Sequence, residues 1–269
     1  MQSEHFESER IPGIRLHALH WGERGQRPLV LLHGGGANAH WWCHLAPDLT
    51  RNTSVVALDF RGHGASRYPE ELEVGAFNND LEGLLDHLGR EDAILVGHSM
   101  GGAIALDHAA RHPQIRGLAL LDVSAGASRR SRRVARLALM LRRTYATREE
   151  AVARFNFLPR ARGADEALRA SIARASVCET DDGRYGFAFD PRWFGIPSRP
   201  RPDLSRVTCP TLLIRGQASE LLTPDGATAL LGELPNAEFA EIPGAGHHVQ
   251  LEQPAAVLEA LQRFLEPLV

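Results

Sequence analysis

Apolar positions along the chain fall into two rhythms. Short runs of aliphatic residues recur at 28–32, 54–58, 93–97, 116–121 and 210–214. Continuous runs of this length are expected of strands covered on both faces. Residues 14–21 alternate apolar and polar instead, which predicts a half-buried antiparallel strand at the sheet edge. Residues 237–242 predict a further strand. Between the runs the spacing becomes helical. Phe77, Leu81, Leu84, Leu85 and Leu88 share one face of a helix over 77–88, ended by Gly89. A helix over 100–112 stops ahead of Pro113, and one over 223–234 opens with Pro224 in its first turn. A closing helix starts at 253–254 and buries Val257, Leu258, Leu261, Phe264 and Leu265. Strand and helix in alternation predict an α/β fold, a mostly parallel sheet with helices on both faces.

The rhythm breaks between about residues 126 and 206. Residues 128–143 read as a helix with Val134, Leu137, Ala138 and Leu141 on one face and seven arginines elsewhere, a solvated face rather than an anion site. Thr147-Arg148-Glu149-Glu150 has the form of a capping box opening a second helix to about 155, and 165–178 reads as a third. Residues 181–202 are rich in Gly, Pro and aromatic side chains. We read 1–126 and 206–269 as the core, with 127–205 a helical lid inserted into it.

Composition narrows the partners. A net charge of -3 argues against a nucleic-acid footprint, which needs a basic excess. Cys43, Cys178 and Cys209 lie far apart without Cys-x-x-Cys spacing, as expected of reduced thiols. The polar, acidic start of the chain lacks the apolar segment of a signal peptide, and no apolar run approaches the ~18 residues of a membrane span. The expectation is a soluble, cytoplasmic protein with no membrane partner, its oligomeric state left open.

The chemistry gathers at strand ends. Residues 93–97 run into Gly97-His98-Ser99-Met100-Gly101-Gly102, which reads as strand, sharp turn and helix with a serine at the apex. Small residues let the backbone turn tightly there and hold the serine in a strained conformation. His33-Gly34-Gly35-Gly36 follows the run at 28–32, and such a loop can aim a backbone N–H at developing negative charge. Gly244-Ala245-Gly246-His247-His248 carries two histidines. Asp59, Arg61 and His63 read as a hydrogen-bonded loop buttress, His17 and His20 as polar strand positions rather than metal ligands, and Trp41 and Trp42 as packing.

Three of these motifs, His33-Gly34, Gly97-His98-Ser99-Met100-Gly101 and Gly244-Ala245-Gly246-His247, resemble in kind and order those of the α/β-hydrolase fold superfamily. The likeness spans about 14–124 and 208–269. It implies an eight-stranded, mostly parallel sheet, Ser99 as nucleophile, and His247 as base and then acid, with His248 the alternative base. It also implies an oxyanion held by the N–H groups of Gly35 and Met100, where Gly36 could replace Gly35, and neither metal nor cofactor. In most relatives a Gly-x-x-Asp turn supplies the third member; here that turn reads Gly216-Gln217-Ala218-Ser219. Asp122 and Glu220 both satisfy the chain order, and Asp122 is favoured because a strand end is better fixed than a loop. A serine where haloalkane- and epoxide-opening relatives carry aspartate points to acyl chemistry. The expected protein hydrolyses a carboxylic ester or lactone, a small acyl substrate held partly by Trp193 and Phe194. The alternatives are a hydrolase of carbon–carbon bonds beside a ketone, and a non-catalytic ligand-binding member of the fold.

Overall fold

The computed structural model describes residues 1–123, 133, 137, 140, 141, 143–196 and 199–269. Its strands are β1 (Gln2–Glu7), β2 (Arg15–Trp21), β3 (Arg27–Leu32), β4 (Thr53–Asp59), β5 (Ile94–His98) and β6 (Gly117–Leu121). They continue with β7 (Val177–Glu179), β8 (Tyr185–Phe187), β9 (Thr211–Gly216) and β10 (Ala237–Ile242). Eight of them form one sheet in the order β1-β2-β4-β3-β5-β6-β9-β10. The pairs β1–β2 and β2–β4 are antiparallel and all the others parallel.

Consecutive residues of the central strands enter opposite apolar layers, as the pleat requires. Val30, Leu32, Val56, Leu58 and Leu95 pack with α1 (Ala76–Leu88) and α2 (Met100–Arg111). Leu29, Leu31, Val55, Ala57 and Val96 pack on the other face with Trp42 and the helix Pro254–Leu265. Both faces being covered is why these strands read as unbroken apolar runs. Winding starts at β3, goes outward to β4 and then crosses back to β5. The direction therefore reverses between the carboxyl ends of β3 and β5, where an open α/β sheet leaves a crevice for ligands.

The expectation of a half-buried edge strand over 14–21 needs correction. β2 is not the edge strand; it is covered by β1 and buried along most of its length. β1 escapes the sequence pattern because Phe6 is its only buried residue, the signature of a solvated edge.

Described residues 143–196 contribute nothing to the eight-stranded sheet. The Thr147 cap is present: Glu150 N–H donates to Thr147 Oγ1 at 3.1 Å, opening the helix Arg148–Arg154, while the Glu150 carboxylate accepts the N–H of Ala146, one residue before the cap, at 3.2 Å. The next helix is Glu166–Ala175, capped by Asp165. It does not extend to 178 as expected. Val177–Glu179 pairs antiparallel with Tyr185–Phe187 across a turn that uses Gly183 at φ +74°, so this layer is mixed rather than helical. A left-handed glycine and the β-forming Val177, Tyr185 and Phe187 favour the ribbon over a further helical turn. The predicted helix over 128–143 lies for the most part outside the described residues. The layer has its own small core, Phe155, Phe157, Ile172 and Ala173, completed by Ala37, Trp41 and Leu251 from the sheet side. Among the described residues no helix is long and apolar enough to cross a membrane.

Candidate active site

Ser99 stands between β5 and α2 at φ 51° and ψ -114°, a left-handed conformation for a non-glycine residue. Such strain costs on the order of 1–3 kcal/mol and persists only where the surroundings enforce it. Here they do. Ser99 N–H donates to the Leu121 carbonyl at 3.0 Å, tying the elbow to β6. A Cβ on Gly97 would lie 2.5 Å from the Gly102 backbone, and one on Gly101 would lie 2.4 Å from the Leu32 carbonyl oxygen. Only glycine at both places lets strand, elbow and helix close this tightly.

His247 Nε2 lies 3.1 Å from Ser99 Oγ, and its Nδ1 lies 2.7 Å from Asp122 Oδ2. Asp122 follows β6 at φ 48°, its own N–H donating to the Ile214 carbonyl at 2.8 Å. The carboxylate is buried and well supplied with donors. Gly216 N–H reaches Oδ1 at 3.0 Å, and Ser219 Oγ–H reaches Oδ2 at 2.5 Å. Ser219 Oγ in turn accepts N–H groups from Leu221 and Leu222, both at 3.2 Å, which leaves its proton directed at Asp122. Ser219 was visible in the sequence only as a missing acid. Its place in that turn is the signal, because a side chain there points into the space the acid occupies. Glu220, one residue further, is exposed and is not brought to His247.

The neighbouring histidines are committed elsewhere. His248 Nε2–H donates to the Pro159 carbonyl at 2.9 Å, and burial pushes the ring down to about 3. It faces the inserted layer, not Ser99. His98 Nε2–H donates to the His247 carbonyl at 2.9 Å, and burial holds His98 well below the ordinary imidazole range. It fixes the backbone that carries His247, a role invisible when His98 is merely the variable position of a Gly-x-Ser-x-Gly motif.

The glycine loop after β3 supplies backbone donors. A Cβ on Gly34 would lie 2.8 Å from His98 Nδ1, and one on Gly35 would lie 2.9 Å from the Phe194 ring. Gly36 N–H is turned to His63 Nε2 at 3.4 Å, whereas Gly35 N–H has no partner among the described residues. Met100, as the first residue of α2, has no intrahelical acceptor for its own N–H. The loop is braced from β4. Asp59 accepts Ala39 N–H at 2.6 Å, Ala65 N–H at 2.9 Å and His17 Nδ1–H at 2.7 Å. Burial acts to raise the Asp59 carboxyl; the His17 hydrogen bond and nearby imidazoles outweigh it and hold the group below its usual value. His20 pairs with Glu4 at 2.6 Å, and Arg61 N–H and Nε–H donate to Asp80 at 2.9 and 2.7 Å. Asp59, Arg61 and Asp80 brace the loops beside the site, the His20–Glu4 pair joins β2 to β1, and none of these residues lines the cavity.

A cavity of about 1150 Å³ opens above Ser99. Gly34, Gly35, Met100 and His247 line it with Trp41, Phe77, Leu158, Trp193 and Phe194. Trp193 lies 4.5 Å from Phe77 between ring centroids, closing the wall between the inserted layer and α1. Trp41 packs as expected, 5.1 Å from Phe157, but it also faces the cavity, which the sequence did not suggest. The cavity's arginines meet carboxylates of their own: Arg199 lies 3.5 Å from Asp107, and Arg201 lies 2.9 Å from Glu233.

The sequence pattern of the alpha/beta hydrolase family matches residues 29–260. The 2-(acetamidomethylene)succinate hydrolase of Mesorhizobium japonicum is 28% identical, over 98% of this chain and 97% of its own. An esterase of Mycobacterium tuberculosis is 28% identical over 97% of this chain and 89% of its own. The crystal structure of E-2-(acetamidomethylene)succinate hydrolase superposes with a TM-score of 0.83 at 22% identity, over 98% of this chain and 100% of that one, a likeness of fold. The matched pattern runs from β3 into the closing helix and takes in Ser99, Asp122 and His247, so the chain belongs to the alpha/beta hydrolase family.

Proposed function

We propose that the protein is a serine hydrolase of carboxylic esters or lactones that works through an acyl-enzyme. One observation carries the reading: an unbroken relay from Ser99 Oγ through His247 to Asp122, at 3.1 and 2.7 Å, facing an open cavity. With Asp122 accepting Nδ1–H, the Nε2 lone pair of His247 is turned to Ser99. The serine proton passes to Nε2 as Oγ bonds to the acyl carbon, and the carbonyl electron pair moves onto oxygen. The N–H groups of Gly35 and Met100 receive that oxyanion. Collapse expels the leaving group, which takes the proton from Nε2. Water, deprotonated by the same nitrogen, then releases the acid and restores Ser99. Residues 127–205 act as the lid over this chemistry, with Trp193 and Phe194 bordering the acyl group.

Two further observations support a neutral ester over an anionic substrate. The wall nearest Ser99 is largely aromatic and aliphatic, and the cavity's arginines face carboxylates of their own. A relative described as an esterase is in keeping with this. The test is fluorophosphonate labelling together with a panel of aryl esters, lactones and dienones. The wild type should label and turn over esters, and Ser99→Ala should lose at least about 10⁴-fold in kcat/KM with an unchanged Tm. Turnover of a dienone alone would transfer the protein to carbon–carbon cleavage. Absence of labelling would make it a ligand-binding member of the fold.

A further inference from the structure

Away from the serine, α1 and α2 bring together three side chains that neither the relay nor the cavity uses. Glu82 lies on α1, while His108 and His112 lie four residues apart at the carboxyl end of α2, where His112 N–H still donates to the His108 carbonyl at 2.9 Å. One ligand atom from each falls within 4.8 Å of the others. We infer that Glu82, His108 and His112 form a zinc-binding site that ties α1 to α2.

The three groups are close enough to reach one ion after small side-chain turns. Tetrahedral zinc with bonds of about 2.0–2.1 Å sets neighbouring ligand atoms about 3.4 Å apart. His112 Nε2 already stands 3.7 Å from Glu82 Oε1. The two imidazoles stack with centroids 4.1 Å apart and planes 16° apart, so they share one side of the helix, and one ring must turn about χ2 for both lone pairs to converge on a single ion. His108 is only 3% exposed, and its Nδ1 has no partner among the described residues. A buried imidazole without a full set of partners is costly unless something else meets it. The carboxylate is also oriented in advance. Arg10 binds Glu82 Oε2 at 3.0 Å and is itself held by Asp86 at 2.8 Å, leaving Oε1 turned to His112. Arg10 brings a positive charge near the site, which Asp86 offsets. Asp107, the other nearby acid, is occupied by Asn78 and Arg111.

Two imidazoles and one carboxylate match zinc better than magnesium or calcium, which prefer all-oxygen sites. Half-buried Glu82 and His112 leave solvent a path to a fourth, water-filled position. At 1.5 Å rise per residue, α2 sets the cluster roughly 15 Å from Ser99, so the ion would brace the helix behind the elbow without touching substrate.

Calorimetric titration of the chelator-treated full chain with zinc chloride tests this. One zinc per chain is expected, with a zinc-dependent rise in Tm. His112→Ala and Glu82→Gln should each weaken binding about tenfold or more and abolish that rise. Both substitutions alter half-buried side chains, and circular dichroism would verify the fold. Ester turnover should be the same in both variants. No binding heat in the wild type overturns the inference, as does binding that both variants keep. Zinc binding lost only in His247→Ala would place the ion at Ser99 and overturn it as well.

Discussion

Trp41 and Trp42 are neighbours in sequence and belong to different parts of the molecule. Trp42 is fully buried against Leu31, Val55 and the closing helix, within the layer that covers the sheet. Trp41 turns the other way, to Phe155 and Phe157 of the inserted layer, and borders the cavity. The sheet side holds Ser99 and Asp122 through backbone N–H groups that reach across strands: Ser99 to the Leu121 carbonyl, Asp122 to the Ile214 carbonyl, and Gly216 to the Asp122 carboxylate. The inserted side offers an aromatic wall and a few attachments, among them Asn38 Nδ2 to Ser176 Oγ at 2.9 Å and His248 to Pro159. The contrast divides the labour. In the proposed function, strand ends set what chemistry is possible, and the inserted layer sets which molecule reaches it.

The largest test of that division is at the acid. Asp122→Asn should lower kcat by about 10⁴-fold, since the amide cannot hold the required imidazole tautomer. Ser219→Ala should cost about tenfold, because one donor to the carboxylate is lost. Glu220→Gln should leave the rate unchanged. Steady-state kinetics on one ester separates the three, and a large loss in Glu220→Gln with none in Asp122→Asn would break the account of the site.

The tryptophan pair gives the next effect. Trp42→Ala should remove about 3–5 kcal/mol of stability, read from the urea midpoint. Trp41→Ala should cost less, because its ring is partly backed by the cavity, and should raise KM more than it lowers kcat. Equal losses of kcat in both variants would mean that the inserted layer takes part in chemistry.

The smallest effect is in acid. His248, held neutral by burial with its pKa pushed down to about 3, is the seam between the two sides. Its folded pKa lies below the ordinary imidazole value, so the unfolded chain takes up a proton that the folded chain refuses. Its contribution is complete above about pH 6.5 and is lost as pH falls toward the folded value, at about 1.4 kcal/mol per pH unit. His63, also pushed down to about 3 by burial, acts in the same direction. Denaturant midpoints between pH 7 and 4 should fall for the wild type and fall less steeply for His248→Gln. Parallel curves would remove His248 from the seam.

Much of the sheet side was legible because its physics is local. Strands buried on both faces must be apolar throughout, and an elbow that admits no Cβ must be glycine at 97 and 101. The inserted layer was legible only where a local device spelled it out, as the Thr147 cap did. The ribbon at 177–187 was missed because three-residue strands carry no period to detect. β1 was missed because only Phe6 of its six residues is buried, which leaves no apolar alternation to detect.

By itself, then, the sequence determined the alternation of strands and helices, the serine on its tight turn, the glycine loop and the pair of histidines from which the base had to come. Each rests on the backbone demands of a few consecutive residues. The tertiary structure decided what depends on distance between remote segments. It set Asp122 rather than Glu220 against the imidazole, turned His248 away to Pro159, and engaged Gly36 with His63 while leaving Gly35 open. It also converted Ser219 from an absent acid into the donor that holds the acid present. Those choices turn on ångströms across the ends of β6, β9 and the loop after β10, and no spacing within a single stretch of chain encodes them.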